Sequence, residues 1–142
     1  MYRLGQIFYR IGNYHEAISW LSKAIETENK NYSFADIDYI FECAQAYQCE
    51  YGLNNLQCAR YYSDWVDWCE TLLSREKLPE KHLNLYLEAL ERGLFGQNRN
   101  LSKAIDICEI AISQEDFYTE GYLCEIRTKL ANLQQMNADT TL

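Results

Sequence analysis

Proline is nearly absent from this chain, and glycine is scarce. One proline and six glycines in 142 residues leave few turn signals for a protein of many short strands. No apolar run approaches the length of a membrane span. The opening residues MYRLGQIFYRIG are broken by Arg3, Gln6 and Arg10, so they lack the apolar core of a secretory leader. Basic residues are also in deficit, 13 against 21 acidic, for a net charge of −8. Such a balance does not suit a surface that tracks phosphates, so this segment is not expected to bind nucleic acid. There are only two histidines, His15 and His82, far apart in the chain, and no CxxC pair, which gives metal ligation little support. No Gly-rich phosphate loop, nucleophile elbow or HExxH occurs. Carboxylate pairs such as Asp64/Asp67 stand at the ordinary spacing of a solvated helix face. No enzyme activity, metal or cofactor is expected.

What the chain does have is apolar residues at helical spacing. Its 48% apolar content is enough for a packed core and argues against disorder. In the stretch Leu4 to Glu28, Ala17, Ile18, Leu21, Ala24 and Ile25 fall on one helical face. Asn13 precedes that face with Glu16 three residues on, the pattern of a capping box. Gly5 lies inside the preceding helix, where it costs roughly 1 kcal/mol against alanine. Its missing side chain would let two helices approach closely.

Read for periodicity and breaks, the chain gives seven helices. The first runs from Tyr2 to Arg10, the second from Tyr14 to Glu28, and the third from Phe34 to Glu50, capped by Ser33 with Asp36. The fourth runs from Leu56 to Arg75, and Pro79 then suits the first turn of a fifth helix ending at Leu94. The sixth covers Leu101 to Ser113 and the seventh Tyr118 to Met136. Residues 1–136 form one domain on this reading, and residues 137–142 a frayed polar tail.

The residues Leu4-Gly5-x2-Phe8, Ala17-x3-Leu21 and Ala24 resemble a tetratricopeptide repeat, whose pattern is W-x2-L-G-x2-Y followed by A-x3-F, a further Ala and a Pro. Met1 stands in the Trp place and Asn29 in the Pro place. Ile40-x2-Cys43-Ala44-x2-Tyr47 repeats the first part with Ala44 for Gly5, and Asn100 to Ile105 parallels Asn13 to Ile18. The offset between the last two exceeds the roughly 68 residues of two unmodified repeats, so the middle of the chain is lengthened. In the fourth helix two alignments are open. One puts Cys58, Tyr62 and Trp65 on the places of Ala17, Leu21 and Ala24. The other puts Asn55 on Asn13 and Ala59 on Ala17, but sets Arg60 and Ser63 on core places, so the first is preferred.

The resemblance implies an all-α fold: an array of antiparallel helix pairs, about three, plus a C-terminal capping helix. It also implies a non-catalytic scaffold that binds a protein or a peptide along the first helices of successive pairs. Carried over position by position, the peptide-contacting residues are Tyr2, Gln6, Tyr9 and Arg10 from the first helix and Phe41, Gln45 and Gln48 from the third; Tyr86 joins them from the fifth, which has no good Leu-Gly match, because the resemblance puts the odd-numbered helices on the concave side. Amides would bond an extended backbone and rings would cover its side chains. The family's carboxylate-clamping Lys and Asn are replaced by Tyr2 and Gln6, which disfavours capture of a C-terminal carboxylate.

Two alternatives stay open. One is the C-terminal, ligand-sensing part of a larger regulator, such as a bacterial peptide-responsive transcription factor. The other is an enzyme or an enzyme-associated subunit. Large apolar groups near the first helix suggest an end that is covered by further chain or by self-association, for which the fourth-helix aromatics Tyr61, Trp65 and Trp68 offer another surface. Burial of those aromatics between helices is the preferred reading. The six cysteines are expected to be free, since several fall on core faces, and a cytoplasmic setting follows.

Overall fold

The computed structural model describes residues 2–28 and 34–140 and folds them into α-helices, with no strand among the described residues. The helices are α1 (Tyr2–Arg10), α2 (Tyr14–Glu28), α3 (Phe34–Tyr51), α4 (Leu56–Ser74), α5 (Glu80–Arg92), α6 (Leu101–Ile112) and α7 (Glu120–Thr140). The expected cap at Ser33 and the Asn29 and Met1 places lie outside the described residues. The chain divides into two compact units, Met1–Trp68 and Cys69–Leu142, and the division falls inside α4.

In the first unit, α2 packs against both α1 and α3, and α1 also touches α3. Small side chains allow this: Gly5, Ala17, Ala24, Ala44 and Ala46 are all buried. The turn between α1 and α2 is closed by bonds from Gly12 N to Tyr9 O and from Asn13 N to Phe8 O. Gly12 takes φ +83° there, a conformation that costs glycine nothing and other residues a clash. Asn13 then caps α2 by accepting from Glu16 N at 3.3 Å.

The α3–α4 contact is built differently. Phe41 meets Trp65 at 4.8 Å and Tyr62 at 6.0 Å between ring centroids, and the close backbone approach of α2 and α3 is not repeated. The bulk of Trp65 holds the two helices apart, and the side chain is itself fully buried. Burial of one such ring, ~150–250 Å² at ~25 cal/mol/Å², contributes roughly 4–6 kcal/mol before entropy is counted. On α4 the buried face is Cys58, Tyr62 and Trp65, whereas Ala59, Arg60 and Ser63 are exposed. Asn55 nevertheless caps the helix, accepting from Cys58 N at 3.0 Å. The cap follows one alignment with α2 and the buried face follows the other, one residue out of step.

In the second unit, α6 packs against α5 and α7. Ala104 is buried and Asn100 caps α6, accepting from Lys103 N at 3.0 Å. Two buried side chains bond backbone carbonyls around the end of α4: Gln114 Nε2 donates to Leu73 O at 2.7 Å in its last turn, and Tyr118 Oη to Leu78 O at 2.7 Å in the segment that follows. Tyr118 is thereby drawn out of α7, which starts at Glu120 rather than Tyr118. The tail expected to fray from residue 137 is helical through Thr140. A bond from Gln135 Nε2 to Asp139 Oδ1 at 3.0 Å spans this last turn.

Candidate functional site

One face of α1 and one of α3 carry the polar aromatic residues of the first unit. Tyr2, Gln6 and Tyr9 recur at i, i+4 and i+7 on α1, all half-buried. Tyr39, Glu42 and Gln45 recur every third residue on α3, also half-buried. The two rows meet. Tyr2 lies over Tyr39 with ring centroids 3.9 Å apart and planes tilted by 36°. Gln6 Nε2 donates to Tyr2 Oη at 2.9 Å and to Glu42 at 3.2 Å and 3.4 Å, one distance to each carboxylate oxygen. Below these, Gln6, Tyr9, Arg10, Leu21, Glu42 and Gln45 enclose a cleft of about 180 Å³.

The electrostatics of this site are set by burial first and by neighbouring carboxylates and a thiol second. Burial, the bonded Glu42 carboxylate and then Asp38 raise the Tyr2 phenol well above its ordinary range. Tyr9 is pushed up to about 12 by burial and by Cys49, with a smaller contribution from Glu42. Tyr9 Oη lies 4.0 Å from Cys49 Sγ, and its ring meets Tyr14 edge-on at 5.5 Å. Both phenols stay neutral at physiological pH and present hydroxyls as donors and acceptors.

The residues read from sequence are thus sorted. Gln6, Tyr9, Gln45 and Arg10 line one cleft, and Tyr2 does not line it but accepts a bond from Gln6. Phe41 does not reach it. Phe41 is buried against Tyr62 and Trp65 on the side of α3 that faces α4. Gln48 is exposed, but its Oε1 accepts from Tyr62 Oη and it does not line the cleft. Tyr86 is a core residue of the second unit, fully buried, with its hydroxyl donating to Glu70 Oε1 at 2.7 Å. The row Phe41, Gln45 and Gln48 splits because α3 is covered on several sides. Phe41 packs toward α4, Gln45 lines the cleft beside α1, and Gln48 stays exposed, because the rotation of α3 is set by all its packing contacts together. Glu42 was missed for the same reason. Its only signal is a position three residues before Gln45.

The second unit holds another cleft, of about 320 Å³, between α5 and α7, lined among others by Asn84, Glu91, Lys129 and Asn132. Two of its charges are paired with each other, Lys129 Nζ to Glu91 Oε2 at 3.2 Å, and Asn84 Oδ1 accepts from Tyr122 Oη at 2.7 Å. Among the described residues, no group of three or more His, Cys, Asp or Glu side chains is placed to hold a metal ion. His15 is exposed and His82 is buried. Trp65 is buried, and Tyr61 and Trp68 are half-buried, Tyr61 stacking on Tyr47 with ring centroids 5.5 Å apart. No helix is long and apolar enough to cross a membrane among the described residues. All six cysteines are free, Cys49 and Cys124 exposed and the other four buried. Comparison with protein-family models, with curated proteins and with solved structures finds no match to this chain.

Proposed function

We propose that this chain is a non-catalytic, tetratricopeptide-like scaffold of antiparallel helix pairs that binds a protein or an extended peptide across α1 and α3. The observation that carries the reading is the cleft: Gln6, Tyr9 and Gln45, picked out as peptide-contacting by their places in a repeat, open into one concavity. Its volume supports a peptide over a small molecule. At about 180 Å³ it falls below the roughly 300–1,000 Å³ of pockets that enclose drug-sized ligands. It suits a single side chain, with the rest of the ligand lying along the helices. The close α1–α2 approach at Gly5 supports the repeat assignment. Free thiols, two of them exposed, support a reducing compartment such as the cytoplasm.

The contact set narrows to Tyr2, Gln6, Tyr9, Arg10, Glu42 and Gln45, because Phe41 and Tyr86 are occupied in packing. The test is display selection of random peptides on the full chain, followed by affinity measurement on a Gln6→Ala/Gln45→Ala variant. Loss of about 1–3 kcal/mol with an unchanged helical circular dichroism spectrum is expected. Undiminished affinity would move the site elsewhere.

A further inference from the structure

We infer that the cleft between α1 and α3 is a receptor for a lysine side chain of the bound peptide, its ammonium held by Glu42. The inference rests on the peptide-binding reading and adds the chemistry of the residue that enters.

The argument begins with donors and acceptors. An ionised carboxylate can only accept hydrogen bonds, so Gln6 must turn its NH₂ toward Glu42. The same NH₂ serves Tyr2 Oη. Both amide hydrogens are therefore directed at protein acceptors, and the end of Gln6 left for a ligand is its carbonyl oxygen. The Glu42 carboxylate takes bonds from Gln6 and from the Tyr2 hydroxyl, and of its roughly four lone-pair sites at least one stays open. A ligand group that enters here meets a surplus of acceptors and must bring donors.

The shape of the acceptor set separates lysine from arginine. Arginine binds carboxylates best as a planar fork, one N–H to each oxygen. Gln6 Nε2 already approaches both Glu42 oxygens, at 3.2 Å and 3.4 Å, and obstructs that geometry. A compact ammonium needs one oxygen and can spend its other hydrogens on the Gln6 carbonyl or on Gln45. The wall suits a lysine stem, since the half-buried Tyr9 ring offers apolar contact and a ring face attracts a cation.

Arg10 is the cationic lining residue, and it is exposed, where water screens its charge. Glu42 is half-buried and acts at shorter range. The net charge of −8 favours encounter with basic segments in the same direction.

The experiment uses the full chain and three blocked pentapeptides, with lysine, arginine or norleucine at the centre of four glycines. Binding is followed by NMR through the side-chain amide resonances of Gln6 and Gln45. The lysine peptide is expected to shift both and to bind at least ten-fold more tightly than the norleucine peptide, with the arginine peptide between them. Glu42→Gln keeps an acceptor for Gln6, so its melting curve should match that of the parent while the lysine preference disappears. Equal binding of the lysine and norleucine peptides at these resonances would overturn the lysine assignment and leave the peptide-binding reading standing. A lysine preference that survives Glu42→Gln would overturn it as well. Shifts confined to other residues, or none with any peptide, would overturn both the assignment and the placing of the peptide on this cleft.

Discussion

A Cβ atom on Gly5 would stand 2.7 Å from Leu21 Cγ and 2.8 Å from Leu21 Cδ2, closer than carbon atoms can approach. Leu21 is fully buried and its backbone N lies 3.2 Å from the same point, so it has little room to withdraw. Gly5→Ala gains about 1 kcal/mol of helix propensity and meets an overpacking cost of about 1–3 kcal/mol. A net destabilisation of about 1 kcal/mol is expected from urea unfolding. In a Leu21→Ala background the alanine at position 5 should be neutral or stabilising, a coupling that a double-mutant cycle measures.

Three alanines follow an asparagine cap at the same spacing, and only two are buried: Ala17 and Ala104 are inside, Ala59 is exposed. Ala17→Arg and Ala104→Arg each place an unpaired charge in a closed contact and should cost more than about 3 kcal/mol or prevent folding. Ala59→Arg should stay within about 0.5 kcal/mol of the parent. Equal effects at all three sites, by chemical denaturation, would contradict the one-residue offset between cap and buried face on α4.

Phe41 tests the boundary between packing and recognition. Its ring fills the space between α3 and α4 against Trp65 and Tyr62. Phe41→Ala should lower stability by about 3–5 kcal/mol. Peptide affinity, measured on whatever fraction stays folded, should change little.

The thiols should react in two classes. Cys49 and Cys124 are exposed. Burial pushes Cys43 and Cys108 up to about 11 and raises Cys69 further, and it also raises Cys58, which keeps all four as unreactive thiols near neutrality.

 Alkylation of the native protein, read by mass spectrometry, should label two sites rapidly, and all six should react after denaturation without reductant. Rapid native labelling of Cys43 would show that the α2–α3 contact opens.

Glu70 carries the pH dependence of the second unit. Its carboxylate is held below the usual glutamate range by bonds from Lys103, 2.7 Å away, and from the Tyr86 hydroxyl. A carboxyl whose pKa is depressed by folding stabilises the native state above its unfolded value. That contribution fades as the pH falls below about 4.5 and through the depressed folded value. Glu70→Gln should therefore lower stability at pH 7 and lose less on acidification than the parent does. Urea midpoints at pH 7 and pH 3 measure the difference, and parallel losses in the two proteins would remove Glu70 as a source.

The helices were legible because their causes are local. Asn13, Asn55 and Asn100 mark three starts by side-chain caps, Gly12 marks a stop, and the 3.6-residue period fills the intervals. Where a boundary moved, a distant partner moved it: Tyr118 leaves the helical run of α7 to bond Leu78 O, forty residues earlier. The cleft was legible in part. The tetratricopeptide resemblance grouped Gln6, Tyr9 and Gln45, which line one cleft, whereas Glu42 beside them had no such signal.

The sequence by itself determined that the described chain is helical, where each helix lies, and that Gly5 and Ala17 sit where two helices come close. Those properties depend on spacing and side-chain size within some twenty residues. Tertiary structure alone decided which arc of α3 turns toward α1 and which toward α4. That rotation depends on how Trp65, Tyr62 and Phe41 share one space, and on Gln6 meeting Glu42 thirty-six residues away. A helical period specifies which residues share a face and leaves open what that face meets, because the neighbour is set by the sum of all packing contacts.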